Sequence, residues 1–128
     1  MPNLTEQKAI ECVKNWFRKK GIELQSPDKD DFGFDLKTPD GKKFIEVKGT
    51  TKTTSAQIGF RYLTNFEYVK AKKCKQLGLD YEVHLVTGIN SESPSHYIIP
   101  ATDFIDKTKP EVWWYFPIRK ADLEKYKI

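Results

Sequence analysis

Cysteine is scarce in this chain, and the two present, Cys12 and Cys74, stand far apart with no CxxC spacing and no paired histidines beside them. That excludes a disulfide scaffold and a zinc ribbon, and leaves both residues as core thiols. No apolar run approaches the roughly 20 residues of a membrane span. Met1-Pro2-Asn3-Leu4-Thr5 lacks the basic and apolar parts of a signal peptide. The expectation is a cytoplasmic protein with no membrane partner. Glycine-rich phosphate cradles, nucleophile elbows, internal repeats, low-complexity tracts and interdomain linkers are all missing. The only two histidines, His84 and His96, have neither metal-ligand nor nucleophile spacing around them and read as structural.

What the chain does have is one domain's worth of sequence, 128 residues, with 13% aromatic and 31% charged positions. A net charge of +4 and a pI near 9.0 give mild attraction to polyanions, a property shared with many unrelated proteins. The elements read α-β-β-β-α-β, a sheet flanked by helices. Asn3-x-x-Glu6 resembles a capping box, and Ile10, Val13, Trp16 and Phe17 recur at helical spacing before Gly21. Ile22-Glu23-Leu24 suggests a short strand. A second box, Thr64-x-x-Glu67, opens a helix over about 65–77 that carries Phe66, Val69 and Leu77 and stops at Gly78. Tyr81-Val83-Leu85 and Tyr97-Ile98-Ile99 read as strands. Residues 1–128 form a single domain in this reading, with a core over about 4–100. The extension 101–128, with Trp113-Trp114-Tyr115-Phe116, packs on that core or makes a homodimer contact.

Gly33-Phe34-Asp35 and Phe44-Ile45-Glu46-Val47-Lys48 flank a Pro39-Asp40-Gly41 turn. A two-residue Asp40-Gly41 turn pairs Leu36 with Ile45 and Asp35 with Glu46. Two acids would then face one another at about 4.5–5.5 Å between Cβ atoms, which is unfavourable unless a cation or a raised pKa relieves it. Glu46 and Lys48 share a face, while Ile45 and Val47 turn to the other side. The alternation serves equally as a solvated face, and a bulged turn would slip the register and move Asp35 off Glu46.

Other candidates carry two readings each. Glu6 is the capping acid of its helix or a neighbour of the acid pair, with Glu11 as a competitor. Thr64 and Glu67 are most simply a cap, and stand as second-tier site candidates. Lys70, Lys72, Lys73 and Lys75 form a solvated helix face or a phosphate-tracking one. Lys52, Arg61 and Tyr62, in the polar stretch after the hairpin, are placed to grip a nucleic-acid backbone.

The order of an Asp, a spacer of roughly ten residues and then Glu-x-Lys resembles the PD-(D/E)XK nuclease superfamily. Gly33-Phe34-Asp35 with Phe44 through Gly49 resembles more closely the domain family found at the C-terminus of the plant protein NO VEIN. That likeness extends to Glu6-x-x-Ala9-x-x-x-Val13, to Leu63-Thr64 with Glu67 and Ala71, and to Tyr81 through Val86, covering roughly residues 4–90. Phe34 stands where the superfamily's name has proline, and Asn65-Phe66 where the closer family tends to show Pro-Asn. The resemblance implies a restriction-endonuclease-like αβββαβ core with a mixed sheet. It also implies Mg²⁺ or Mn²⁺ held by Asp35, Glu46 and the Val47 carbonyl, with Lys48 orienting the attacking water and Glu6 near the centre. The expected activity is metal-dependent phosphodiester hydrolysis, with nucleic acid, DNA above RNA, as partner. The competing readings are a non-cleaving nucleic-acid-binding or protein-interaction module on the same fold, and a Holliday-junction resolvase acting as an obligate dimer.

Overall fold

The first helix, α1 (Leu4–Arg18), starts where the Asn3 side chain accepts a hydrogen bond from Glu6 N–H at 2.8 Å, satisfying a donor that a helix start leaves orphaned. It closes at Gly21, whose φ of +79° lets Gly21 N–H reach Arg18 O and Ile22 N–H reach Phe17 O, a Schellman arrangement. Ala9, Val13 and Phe17 form its buried stripe. The computed structural model describes residues 3–53, 62–107, 114–115, 118 and 120–128.

The closure of α1 also sets the path of the chain beyond it. Ile22–Leu24, expected as a strand, is not one: α1 has taken the Ile22 N–H, Leu24 is buried in the cluster around α1, and among the described residues the pairing begins only at the next residue, as an isolated bridge from Gln25 to Lys37. The hairpin itself has the expected register. β1 (Leu36–Lys37) runs antiparallel to β2 (Lys43–Gly49), with Leu36 opposite Ile45 and Lys37 opposite Phe44. Its turn differs from the expected type. Only glycines have positive φ among the described residues, so Asp40 is not left-handed and the turn is not type I′. Gly41 N–H instead donates to Thr38 O at 2.9 Å, and the Asp40 carboxylate accepts from Thr38 Oγ1 at 2.7 Å and Lys42 N–H at 3.0 Å.

Beyond the hairpin, β2 lies parallel to β4 (Asp80–Thr87), which pairs antiparallel with β5 (Ser95–Pro100); the order is β1-β2-β4-β5. Parallel neighbours need a crossover, and α2 (Asn65–Leu77) lies on it. The result is α/β, a mixed sheet with α1 against one face and α2 against the other. Ile45, Val47 and Val86 pack with α1, whereas Phe44, Tyr81, Val83, Leu85, Tyr97 and Ile99 pack with Ala71 and Cys74 of α2. Being covered on both faces, β2 is buried at successive positions, Phe44 through Val47, with Glu46 the charged exception.

Phe66, Val69 and Leu77 do not supply the packing face of α2. They are 65%, 54% and 61% exposed, while the small residues Ala71 and Cys74 turn inward and let the helix come close. Phe66 pairs instead with exposed Phe32, ring centroids 5.9 Å apart. After Pro100 the chain returns to the core. Phe104, Ile105 and Leu123 are buried in the α2-side cluster, Ile128 N–H donates to His96 O, and β6 (Trp114–Tyr115) pairs antiparallel with β3 (Tyr62–Leu63). Trp113 and Phe116 lie outside the described residues. No helix among the described residues is long and apolar enough to cross a membrane.

Gly33 is a point of close approach between the hairpin and α2. Its φ is +90°, and a Cβ there would sit 2.3 Å from Phe66 O and 2.8 Å from Lys70 Cβ. Gly33→Ala should therefore cost about 2–4 kcal/mol. Gly41→Ala, with φ +72° but nothing within 4 Å, should cost only about 1 kcal/mol. Urea midpoints of the two variants read the difference.

Candidate functional site

Asp35 sits one residue before β1, where the ladder to β2 runs out. Its N–H still donates to Ile45 O at 2.8 Å, but the next donor along β2, Val47 N–H, is taken by the Asp35 carboxylate at 2.8 Å. A side chain thus completes the strand edge. N–H and C=O of one strand residue point the same way, so the Val47 carbonyl is directed to the same uncovered edge. The loop that delivers Asp35 is fixed from below by Tyr81, whose hydroxyl donates to Gly33 O at 2.6 Å.

Glu46 and Lys48 project from β2 toward α2, and Glu46 is only 4% exposed. Lys48 Nζ lies 3.2 Å from Glu46 Oε2 and 3.1 Å from Glu67 Oε1. The same Glu67 oxygen accepts Thr64 N–H at 2.9 Å while Thr64 Oγ1 accepts Glu67 N–H at 3.2 Å, a complete capping box. Thr64 and Glu67, expected first as a cap, are therefore both the cap and a part of the charged cluster.

The electrostatics follow from burial. Glu46 is pushed well above the ordinary carboxyl range, first by desolvation and then by the neighbouring Asp35 charge; the attraction of Lys48 does not offset the two. Asp35 is also raised by burial, although Val47 N–H and a hydrogen bond with Glu46 pull it back. Both carboxyls are thus raised, Glu46 the further of the two. Burial alone would lower Lys48, but Glu46 and Glu67 outweigh it and keep the ammonium charged.

Among the described residues, no group of three or more His, Cys, Asp or Glu side chains is placed to hold a metal ion. The donor set that is present consists of two carboxylates and a main-chain carbonyl, all hard oxygens, which suits a magnesium-sized ion that keeps several waters. Glu6 lies at the edge of this set. Its charge raises Asp35, and it lines a cleft of about 220 Å³ with Val47, Lys48 and Thr50. Glu11 is elsewhere, bonded to Arg18 at 2.8 Å.

The basic candidates separate. Lys70 is tied to Asp31 at 3.0 Å and lies over the Phe44 ring at 4.3 Å, so it is not a solvated lysine. Lys72 donates to Tyr68, and Lys75 pairs with Asp106. Lys52 and Lys73 are exposed. Tyr62 is placed by its backbone in β3, and Arg61 lies outside the described residues. Sequence reasoning misses Tyr81 as a positioning group, because only its parallel neighbour Phe44 brings it under the hairpin and no local pattern announces that pairing.

The family model described as "Protein NO VEIN, C-terminal" matches residues 5–99. No curated protein and no solved structure matches the chain.

A raised Glu46 makes stability fall with pH. The folded state binds this proton more tightly than the unfolded chain, so its contribution is full below the ordinary value of 4.5 and is lost as pH rises through the raised value. Glu46→Gln abolishes the titration, while His84 and His96 cancel between the two chains. Urea midpoints from about pH 4.5 to about pH 8 should show the wild-type-minus-variant stability declining steadily. A flat difference would mean that Glu46 is ionised throughout.

Proposed function

The chain belongs to the family of the NO VEIN C-terminal domain, and from the buried acid pair it carries we propose metal-dependent hydrolysis of phosphodiester bonds in nucleic acid. DNA is the proposed substrate and Mg²⁺ or Mn²⁺ the cofactor. The observation that carries this reading is the Asp35–Glu46 pair beside Lys48. Packing alone does not call for two adjoining buried acids, since apolar residues of similar volume would cost less.

Asp35, Glu46 and the Val47 carbonyl would hold the ion. When bound there, it would neutralise charge on the scissile phosphate and lower the pKa of the attacking water. Lys48 has three donors and is anchored from the far side by Glu67, so it keeps its place when Glu46 is engaged elsewhere. In this reading it orients the water and steadies negative charge developing on the phosphate. Glu6, at the cleft, acts on Asp35 through its charge. The exposed Lys52 and Lys73, with Arg61 and Tyr62, are proposed to follow the nucleic-acid backbone; Lys70 holds the Gly33 loop to α2 rather than contacting phosphate.

Mn²⁺ or Mg²⁺ should raise the melting temperature of the wild type by mass action on the folded state. Asp35→Asn with Glu46→Gln should remove that rise, and Asn keeps an oxygen for Val47 N–H. On a panel of single-stranded, double-stranded and branched DNAs and RNA, Lys48→Ala should lower the cleavage rate by about 100-fold or more, with affinity within about twofold of wild type. Binding with a clear salt slope but no cutting in the wild type would leave a non-cleaving module. A melting temperature indifferent to metal, with neither binding nor cutting, would overturn the reading altogether.

A further inference from the structure

Two phenylalanines stand in solvent on the elements that carry the acid site, and neither the core nor the proposed hydrolysis uses them. Phe32 is 62% and Phe66 65% exposed, and their rings lie 5.9 Å apart with 39° between the planes. A single apolar side chain at a surface needs no explanation. This pair is different, because the fold brings it together from two separate segments and holds the backbone of each. Asp31, just before Phe32, is tied to Lys70 at 3.0 Å, and the carbonyl of Gly33, just after it, accepts the Tyr81 hydroxyl at 2.6 Å. A Cβ on Gly33 would run into Phe66 O, so the two segments meet at the main chain. Phe66 itself lies in the first turn of α2, which the Thr64–Glu67 box closes. Both rings are thus presented on fixed backbone, and a ligand that covers them has no loop to order first.

The pair also lies along the path to the acid site. Phe32 is three residues before Asp35, so the two Cα atoms are within about 11 Å of one another. Phe66 immediately precedes Glu67, whose Oε1 is 3.1 Å from Lys48 Nζ. Residues i, i+3 and i+7 of a helix share a face. On that face of α2, Phe66 is followed by Val69 and then by Lys73, both exposed. An aromatic platform with a cation beyond it is the combination that single-stranded nucleic acid requires, a ring for the base and a charge for the phosphate.

Size decides against a protein partner. The two rings expose roughly 200–300 Å², well short of the about 800 Å² that each side gives to a stable protein interface. They suit a small flat ligand, and the substrate proposed for the acid pair carries one in every nucleotide. Inside a duplex both faces of a base are covered by its neighbours, so a base reaches these rings only where it is unpaired and unstacked. We propose that Phe32 and Phe66 form a stacking platform for an unpaired base of the substrate, which makes single-stranded DNA, or the single-stranded part of a branched DNA, the substrate class. The inference rests on the proposed hydrolysis for its ligand and narrows it.

The test measures binding to the full chain without metal, by fluorescence anisotropy of a labelled oligothymidylate of about 15 nucleotides. A strand of equal length built from abasic nucleotides keeps the phosphates and lacks the bases. The wild type should bind the oligothymidylate about tenfold or more tightly than the abasic strand. Phe32→Ala with Phe66→Ala should bring that ratio to within about twofold of unity, while affinity for a duplex stays within about twofold of wild type. Phe32→Leu with Phe66→Leu, which keeps apolar bulk without a π face, should behave as the alanine chain does, and Phe32→Trp with Phe66→Trp should restore the preference. Urea midpoints of all three should match the wild type, since both positions are exposed. A readout that needs no substitution is 2-aminopurine placed in the strand, whose emission should fall as it stacks on the wild-type protein. The proposal is overturned if the wild type does not bind the oligothymidylate, if it binds the abasic strand as well, or if the alanine chain keeps the preference. Cleavage with Mg²⁺ or Mn²⁺ is read separately. Base-dependent binding without cutting would sink the hydrolysis and leave the platform, whereas cutting with binding indifferent to the bases would do the reverse.

Discussion

The hydrogen bond from Val47 N–H to the Asp35 carboxylate joins fold and site in one contact. β1 is too short to cover the whole edge of β2, and an edge donor left bare in a half-buried position is costly. Asp35 meets that need with a side chain, which draws its charge inward against Glu46. Burial of the pair then raises both carboxyls, and Lys48 stands between Glu46 and Glu67 to offset their charge. Tyr81 and Gly33 make the arrangement rigid: one hydroxyl pins the loop that carries Asp35, and the missing Cβ lets the same loop touch the main chain of α2.

Much of this is legible from local chemistry. The hairpin register, the span of α2 and both glycine helix stops follow from alternation, capping residues and positive φ, all of which act over a few positions. The misreadings share a cause. Ile22–Leu24 looks like a strand because its residues are apolar, but helix closure claims the first amide. Phe66, Val69 and Leu77 look like a packing face because they are large, yet the sheet accepts the small face of Ala71 and Cys74. Asp40-Gly41 looks like a two-residue hairpin turn, but Asp40 serves as an acceptor for Thr38 and Lys42.

The site is legible in its β2 half and obscure in its α2 half. Asp35, Glu46 and Lys48 lie on one hairpin, whose geometry sequence can specify. Glu67 reaches Lys48 only because a crossover returns the chain over the sheet, and its capping pattern is complete without any partner across the fold. Lys70 shows the reverse case, a basic residue that a charge count assigns to solvent and that Asp31 and Phe44 take inward. The His84–His96 contact likewise depends on the β4–β5 pairing, and two isolated histidines in the sequence give no hint of it.

One Glu67 oxygen serves both the Thr64 amide and the Lys48 ammonium, which couples local order in α2 to the charged cluster. Fraying of the first turn of the helix would carry Glu67 away and leave Lys48 with Glu46 alone. Opening of that turn would therefore free the amides of Thr64 and Glu67 together with the Lys48 contact. Their exchange with solvent deuterium would report, without any substrate, how often the lysine loses its second carboxylate.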